Sequence, residues 1–163
     1  MKTILITLCL TIAVLLGSVG GGVSADYQKG LTAVQSGNYA TALREFRVLA
    51  EQGHAGAQYN LGLMYDNGRG VTQDYKESVK WYSKSIEQGH AEAQYNMGVM
   101  YGNGNGVNQN NVYAHMWFDI VASNGDENGR INRDIVANRM TKEQLREAQE
   151  LARVCIRKKY KGC

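Results

Sequence analysis

Residues 51–71, EQGHAGAQYNLGLMYDNGRGV, return at 87–107 as EQGHAEAQYNMGVMYGNGNGV, displaced by 36 residues with sixteen of twenty-one positions identical. A fixed period of this size marks stacked supersecondary units, each unable to bury its apolar stripe without a neighbour. Such stacks act most often as binding surfaces. The architecture expected is therefore a solenoid rather than one closed core.

Within the period, apolar residues recur at helical spacing, glycine clusters supply the breaks, and proline is absent from all 163 residues. The pattern predicts an all-α chain of eight helices in four antiparallel pairs, an α/α superhelix. The helices run over 27–36, 39–52, 55–65, 75–88, 91–101, 112–123, 127–138 and 142–159. Gly53 and Gly89 suit the left-handed position that closes a helix. Thr141, with Gln144 three residues on, reads as a capping box. Small residues Ala55, Ala57 and Gly62, with Ala91, Ala93 and Gly98, let a neighbouring helix approach closely. Gly62→Val is expected to overpack such a contact.

The ends differ from the centre. Residues 26–52 form an opening pair with the tight turn Ser36-Gly37-Asn38-Tyr39. Registers 53–88 and 89–124 are full repeats, each with a longer glycine-rich loop. Gly125 keeps the register of Gly53 and Gly89, but after it the repeat decays, so 125–163 reads as a capping pair.

Residues 1–25 carry the layout of a secretory signal: Met1-Lys2, the apolar run Thr3 to Leu16, then Val23-Ser24-Ala25 at the cleavage positions. Cleavage after Ala25 leaves Asp26–Cys163 and no stable membrane span; the rival readings are an uncleaved N-terminal anchor and lipid modification of Cys9, which sits inside the apolar run. The chain is thus expected to be exported, to the periplasm or beyond. Without Lys2 it holds 17 basic and 15 acidic residues, too even a balance to argue for nucleic acid. The basic residues gather at the end (Arg153, Arg157, Lys158, Lys159, Lys161), where they complement a helix dipole. In an oxidising compartment Cys155 and Cys163 are a candidate disulfide. Cys155 also continues the helical apolar series from Leu145, so a buried thiol is the alternative.

No catalytic signature is present: no H-E-x-x-H, G-x-S-x-G, C-x-x-C or phosphate loop. His54 and His90 occupy equivalent places at helix starts, separated by a stacking step, which argues for structure over a metal site. No cofactor and no metal are expected. His115 reads as packed or exposed rather than catalytic, and the loops at Asp66–Val71 and Gly102–Val107 as turns rather than phosphate or calcium sites.

The string A-x-A-Q-Y-N-[LM]-G-x-M-Y-x-N-G-x-G-V, at Ala55–Val71 and Ala91–Val107, resembles the Sel1-like repeat family, whose 36-residue helix-turn-helix units are related to tetratricopeptide repeats. The opening pair is similar to the tetratricopeptide style of turn. The segment from Arg139 to Gln144, followed by Ala148 and Ala152, is similar to the terminal helix of bacterial members. The resemblance implies a superhelical scaffold that binds a protein or peptide. One exported branch of the family staples its repeats with disulfides and has been linked to penicillin binding. This chain lacks those paired cysteines and any S-x-x-K, so that association does not carry over.

Two kinds of position are candidates for partner binding in the concave groove. Polar pairs present in both copies, Gln58 and Asn60 with Gln94 and Asn96, could bond a peptide backbone; they could equally satisfy helix ends. Positions that differ between copies, Gly56 against Glu92, Leu63 against Val99 and Arg69 against Asn105, are better placed to discriminate partners. The competing reading, a cell-wall or carbohydrate-associated enzyme or enzyme-like binder, would need converging carboxylates among residues such as Glu92, Asp119 and Glu127.

Overall fold

A computed structural model describes residues 25–163. The expected signal segment, Ala25 apart, lies outside them. Eight α-helices and no strands occur among the described residues: α1 (Tyr27–Gln35), α2 (Tyr39–Glu51), α3 (Ala55–Asn67), α4 (Tyr75–Ile86), α5 (Ala91–Asn103), α6 (Asn111–Ser123), α7 (Glu127–Ala137) and α8 (Lys142–Arg157). Each of α1 to α6 packs on the next in order, which makes an α/α solenoid, and α8 packs on α6. No helix among the described residues is long and apolar enough to cross a membrane.

The helix starts are chemically marked. Asp26, Asn38, His54, Asp74, Asn110, Asp126 and Thr141 each accept a backbone N–H of the first turn, which satisfies a donor the helix cannot. The capping box at Thr141 and Gln144 forms as read. α3 and α5 run two residues further than the periodicity predicts, through Asn67 and Asn103. They stop at Gly68 and Gly104, whose φ of 65° and 76° is the left-handed conformation that ends a helix.

One packing element repeats through the stack. A Cβ on Gly62 would sit 2.6 Å from the Tyr82 ring, and one on Gly98 2.7 Å from the Phe118 ring. Gly30 meets Phe46 in the same way. Phe46, Tyr82 and Phe118 stand 36 residues apart and all three are buried. The opening pair is thus a full member of the stack, although its short turn hides the register in sequence. Gly70 and Gly106 do more than turn the chain: a Cβ on Gly70 would lie 2.8 Å from that of Tyr39, and one on Gly106 would strike the Tyr75 carbonyl. The long loops therefore lean on the start of the second helix of the preceding pair.

The closing pair needs correction. α7 and α8 do not form a hairpin packed face to face; both lie on α6. The reason is the composition of α8, whose buried residues Ala148, Ala152 and Cys155 are small and at helical spacing. They fit against the large residues of α6, in the core shared by Met116, Trp117 and Ile120. Beyond α8 the chain hooks back. Cys163 is joined to Cys155 by a disulfide, with Cα atoms 5.7 Å apart. The Tyr160 ring rests 3.7 Å from the Cβ position of Gly89, in the turn between α4 and α5.

Candidate functional site

The first helices of the pairs meet along seams built from three residue types. At the first seam the Tyr27 ring stacks on His54, centroids 4.5 Å apart, and Asn60 donates from Nδ2 to the Tyr27 hydroxyl at 3.1 Å. At the second, Tyr59 stacks on His90 at 4.7 Å. Asn96, the counterpart of Asn60, donates to the Tyr82 hydroxyl at 3.2 Å, and its amide also acts on the Tyr59 phenol. At the third, Asn132 donates to the Tyr95 hydroxyl at 3.0 Å, and Asp126 replaces the histidine as the cap of α7. Tyr27 and Tyr59 thus stack on the histidine at the start of the following unit, and Tyr27 and Tyr95 accept from its asparagine. Stacked rings with a satisfied hydroxyl hold two helices in register more specifically than apolar contact alone.

This arrangement settles most of the predicted groove residues. Gln58 is 5% exposed; it donates from Nε2 to the Ala50 carbonyl at 3.1 Å and accepts from Gln88 at 2.8 Å. Gln94 is 1% exposed, and neither of its amide atoms has a partner among the described residues. Both glutamines lie inside the stack, so the expectation that they line a groove is corrected: the AQYN string directs glutamine inward, between α3 or α5 and the turn before it. Asn60 and Asn96 are half-buried and committed to tyrosines. Leu63 and Val99 are half-buried too; Leu63 packs on the core around Tyr82 and Met97, and Val99 on Ala114, Phe118 and Val136.

Glu92 is different. It projects from the first turn of α5 with its side chain 68% exposed. Its Oε2 lies 3.1 Å from His90 Nδ1, but burial holds that imidazole below its ordinary range, so it opposes the carboxylate with little charge at neutral pH. Burial first and Glu92 second push the Tyr59 phenol up, which reflects how near the carboxylate lies to that ring. Glu92 and Asn96 share a cavity of about 350 Å³ with Tyr59, Tyr95, Asp126 and Asn128. None of its lining residues is Lys or Arg. The site is a negatively charged recess walled by aromatic rings, at the N-terminal ends of α5 and α7.

The other candidates for chemistry resolve into structure. Asp119 is 3.3 Å from Arg133 Nη1, and Glu127 is paired with Arg130, so these carboxylates are neutralised where they stand and do not converge with Glu92. His115 is buried on α6, and burial lowers its pKa. Asp66 accepts a hydrogen bond from the Tyr82 hydroxyl at 3.3 Å. No group of three or more His, Cys, Asp or Glu able to hold a metal occurs among the described residues. The seam partners Tyr27 and Asn132 escape a reading of the sequence that stops at the two full copies. The surviving register of Asn132, 36 residues after Asn96, is the signal that would have found the third seam.

Comparison with known proteins agrees with this geometry. The Sel1 repeat family matches residues 55–90 and 91–126. The exopolysaccharide production negative regulator of Rhizobium leguminosarum bv. viciae is 38% identical over 72 residues, which is 40% of this chain and 27% of that protein. Among solved structures, a protective antigen present in uropathogenic Escherichia coli strains, displaying an SLR fold, superposes with a TM-score of 0.79 at 32% identity. The match covers 86% of this chain and 31% of the other. A Sel1 repeat protein from Oxalobacter formigenes gives a TM-score of 0.65 at 27% identity, covering 77% and 54%. The chain spans about a quarter of the rhizobial regulator and about half or less of either solved chain. Proteins with these repeats are typically non-catalytic scaffolds for protein interaction. With two Sel1 repeats at 55–126, an all-helical solenoid and neighbours of the same fold, the chain is a Sel1-like repeat protein.

Proposed function

We propose that this protein is an exported, non-catalytic scaffold that binds a protein or peptide partner through the concave face of its repeat superhelix, in the periplasm or outside the cell. The observation that carries the reading is the recess at Glu92. It is a place where the two copies differ in charge, Gly56 against Glu92, and it leaves a carboxylate open beside tyrosine rings while the equivalent side chains around it are committed to the stack. The chemistry fits a basic side chain of the partner: a lysine or arginine held between carboxylate and aromatic faces gains both ionic and cation–π attraction. The signal-like residues 1–25 support export, and the Cys155–Cys163 disulfide is at home in an oxidising compartment.

A photocrosslinking amino acid placed at Asn128, across the recess from Glu92, tests this in the native cell. A defined adduct that Glu92→Lys abolishes is the expected result. An adduct pattern that Glu92→Lys leaves unchanged refutes the recess as the point of contact. Fractionation with sequencing of the recovered amino terminus tests the compartment separately.

A further inference from the structure

The carboxylate of Glu45 is the most deeply placed acid in the opening pair. It sits on α2 and is 2% exposed. Lys29 Nζ approaches Oε1 at 2.9 Å and Arg44 Nη2 at 3.1 Å. The second oxygen, Oε2, accepts a hydrogen bond from the backbone N–H of Asp26 at 3.2 Å, across nineteen residues of sequence. Buried charges are costly unless paired and bonded, so a glutamate kept here needs a reason beyond packing. Lys29 and Arg44 alone could neutralise it from the surface, where they are 48% and 62% exposed. The bond to Asp26 nitrogen is the unusual one, because Asp26 is the residue that cleavage after Ala25 makes the first of the chain.

We propose that the fold reads its own maturation: cleavage between Ala25 and Asp26 turns that backbone N–H into an α-ammonium group, which docks on the buried Glu45 carboxylate. The inference rests on the export reading above. The reaction is peptide-bond hydrolysis by a signal-peptidase-type protease: water adds across the Ala25–Asp26 bond, leaving a carboxylate on the released segment and an ammonium on Asp26. A neutral donor is thereby replaced by a charged one at the same oxygen, so a dipole–charge bond becomes an ion pair, and its attraction is strengthened where the carboxylate is removed from water. The groups facing the new terminus are Glu45 from α2, the carboxylate of Asp26 itself, Lys29 from α1 and Arg44 from α2. Before cleavage these two acids and two bases balance. The added cation is tolerated because Lys29 and Arg44 are partly solvated and can turn toward water, whereas Glu45 cannot. The bonds from Lys29 first, then from Asp26 nitrogen and Arg44, hold the Glu45 carboxyl down to about 2, so above that pH it is ionised and faces a protonated α-amino group until the latter titrates.

The test compares residues 26–163, produced with an authentic Asp26 terminus, with residues 23–163, which retain Val-Ser-Ala. At pH 6 and low salt the mature chain should melt about 3 °C higher, the scale of a gain near 1 kcal/mol in a domain of this size. The advantage should disappear at pH 10, where the α-amino group is neutral. Titration of ¹⁵N-labelled Asp26 should place that group above its ordinary range near 8, and Glu45→Gln should return it there. Equal melting at pH 6, together with an ordinary α-amino titration, overturns the docking. A recovered protein whose mature terminus lies elsewhere overturns the maturation reading, whichever way the melting comparison falls.

Discussion

The seam between α1 and α3 and the seam between α3 and α5 are made from the same residue types, yet only one of them is closed. At the first, His54 Nδ1 accepts the Ala57 N–H at 3.1 Å, Asn60 bonds Tyr27, and the buried Gln58 is satisfied on both sides. At the second, His90 makes no cap bond, its Nδ1 faces Glu92, and the buried Gln94 is unpartnered among the described residues. Two substitutions account for the difference. Gly56 becomes Glu92, which draws the histidine off its capping role. Gln88, which serves Gln58, becomes the shorter Asn124 in the next register. A repeat can therefore keep its helices in place while single side chains convert a finished seam into a surface with charge to spare.

The largest expected effect asks whether the two seams share one packing rule. Gly62→Val and Gly98→Val should each cost about 1–3 kcal/mol by overpacking against Tyr82 and Phe118. Urea unfolding of the two variants should give similar losses; a neutral result at either position breaks the equivalence. Next, Gln58→Leu should destabilise by about 1–2 kcal/mol, because it removes a buried amide's bond to the Ala50 carbonyl and the bond it accepts from Gln88. Gln94→Leu should be neutral or slightly stabilising, since it removes a buried amide with no protein partner. Equal losses from the two leucine variants would mean that the seams are satisfied alike after all.

Smaller still, Asn60→Ala, Asn96→Ala and Asn132→Ala should each cost about 1 kcal/mol, the net value of a side-chain hydrogen bond, measured by thermal melting. A loss confined to Asn60 would make the first seam the only one that carries stability. The smallest effect is in pH. Burial, opposed by Glu92, holds the His90 imidazole below 6.5, so the fold favours its neutral form. The stability this provides is present above pH 6.5 and is lost as pH falls below it, because the unfolded chain protonates first. Glu92→Gln removes the opposing carboxylate and should deepen the loss between pH 7.5 and pH 5.5. A shallower loss would show that Glu92 does not act on His90.

Much of the fold is legible in the chain. The 36-residue echo implies stacked helix pairs, and all eight helices lie within about two residues of the ranges its periodicity predicts. The caps at Asp26, His54 and Thr141 are local chemistry, decided by residues three apart, and need no tertiary context to be foreseen. The opening pair is harder to place, because its turn is shorter and the match of Gly30 to Phe46 with Gly62 to Tyr82 falls out of register on one side only. The closing pair misleads for another reason. Sequence order suggests that α8 returns along α7, but its small buried face fits α6 better.

The site was less legible than the frame, and the cause is geometric. In the AQYN string four consecutive residues take four different directions around a helix. Periodicity establishes that glutamine and asparagine are off the apolar stripe, but not which neighbour covers them. The sequence by itself determined the repeat, its length, its caps and its tight glycine contacts, because each depends on residues near one another along the chain. Only the tertiary structure decided that Gln58 and Gln94 are interior, that Asn60 and Asn96 belong to tyrosines of other helices, and that Glu92 stands open. Those outcomes depend on which helix is stacked above, a relation between residues of different helices, up to 33 positions apart, that no local pattern encodes.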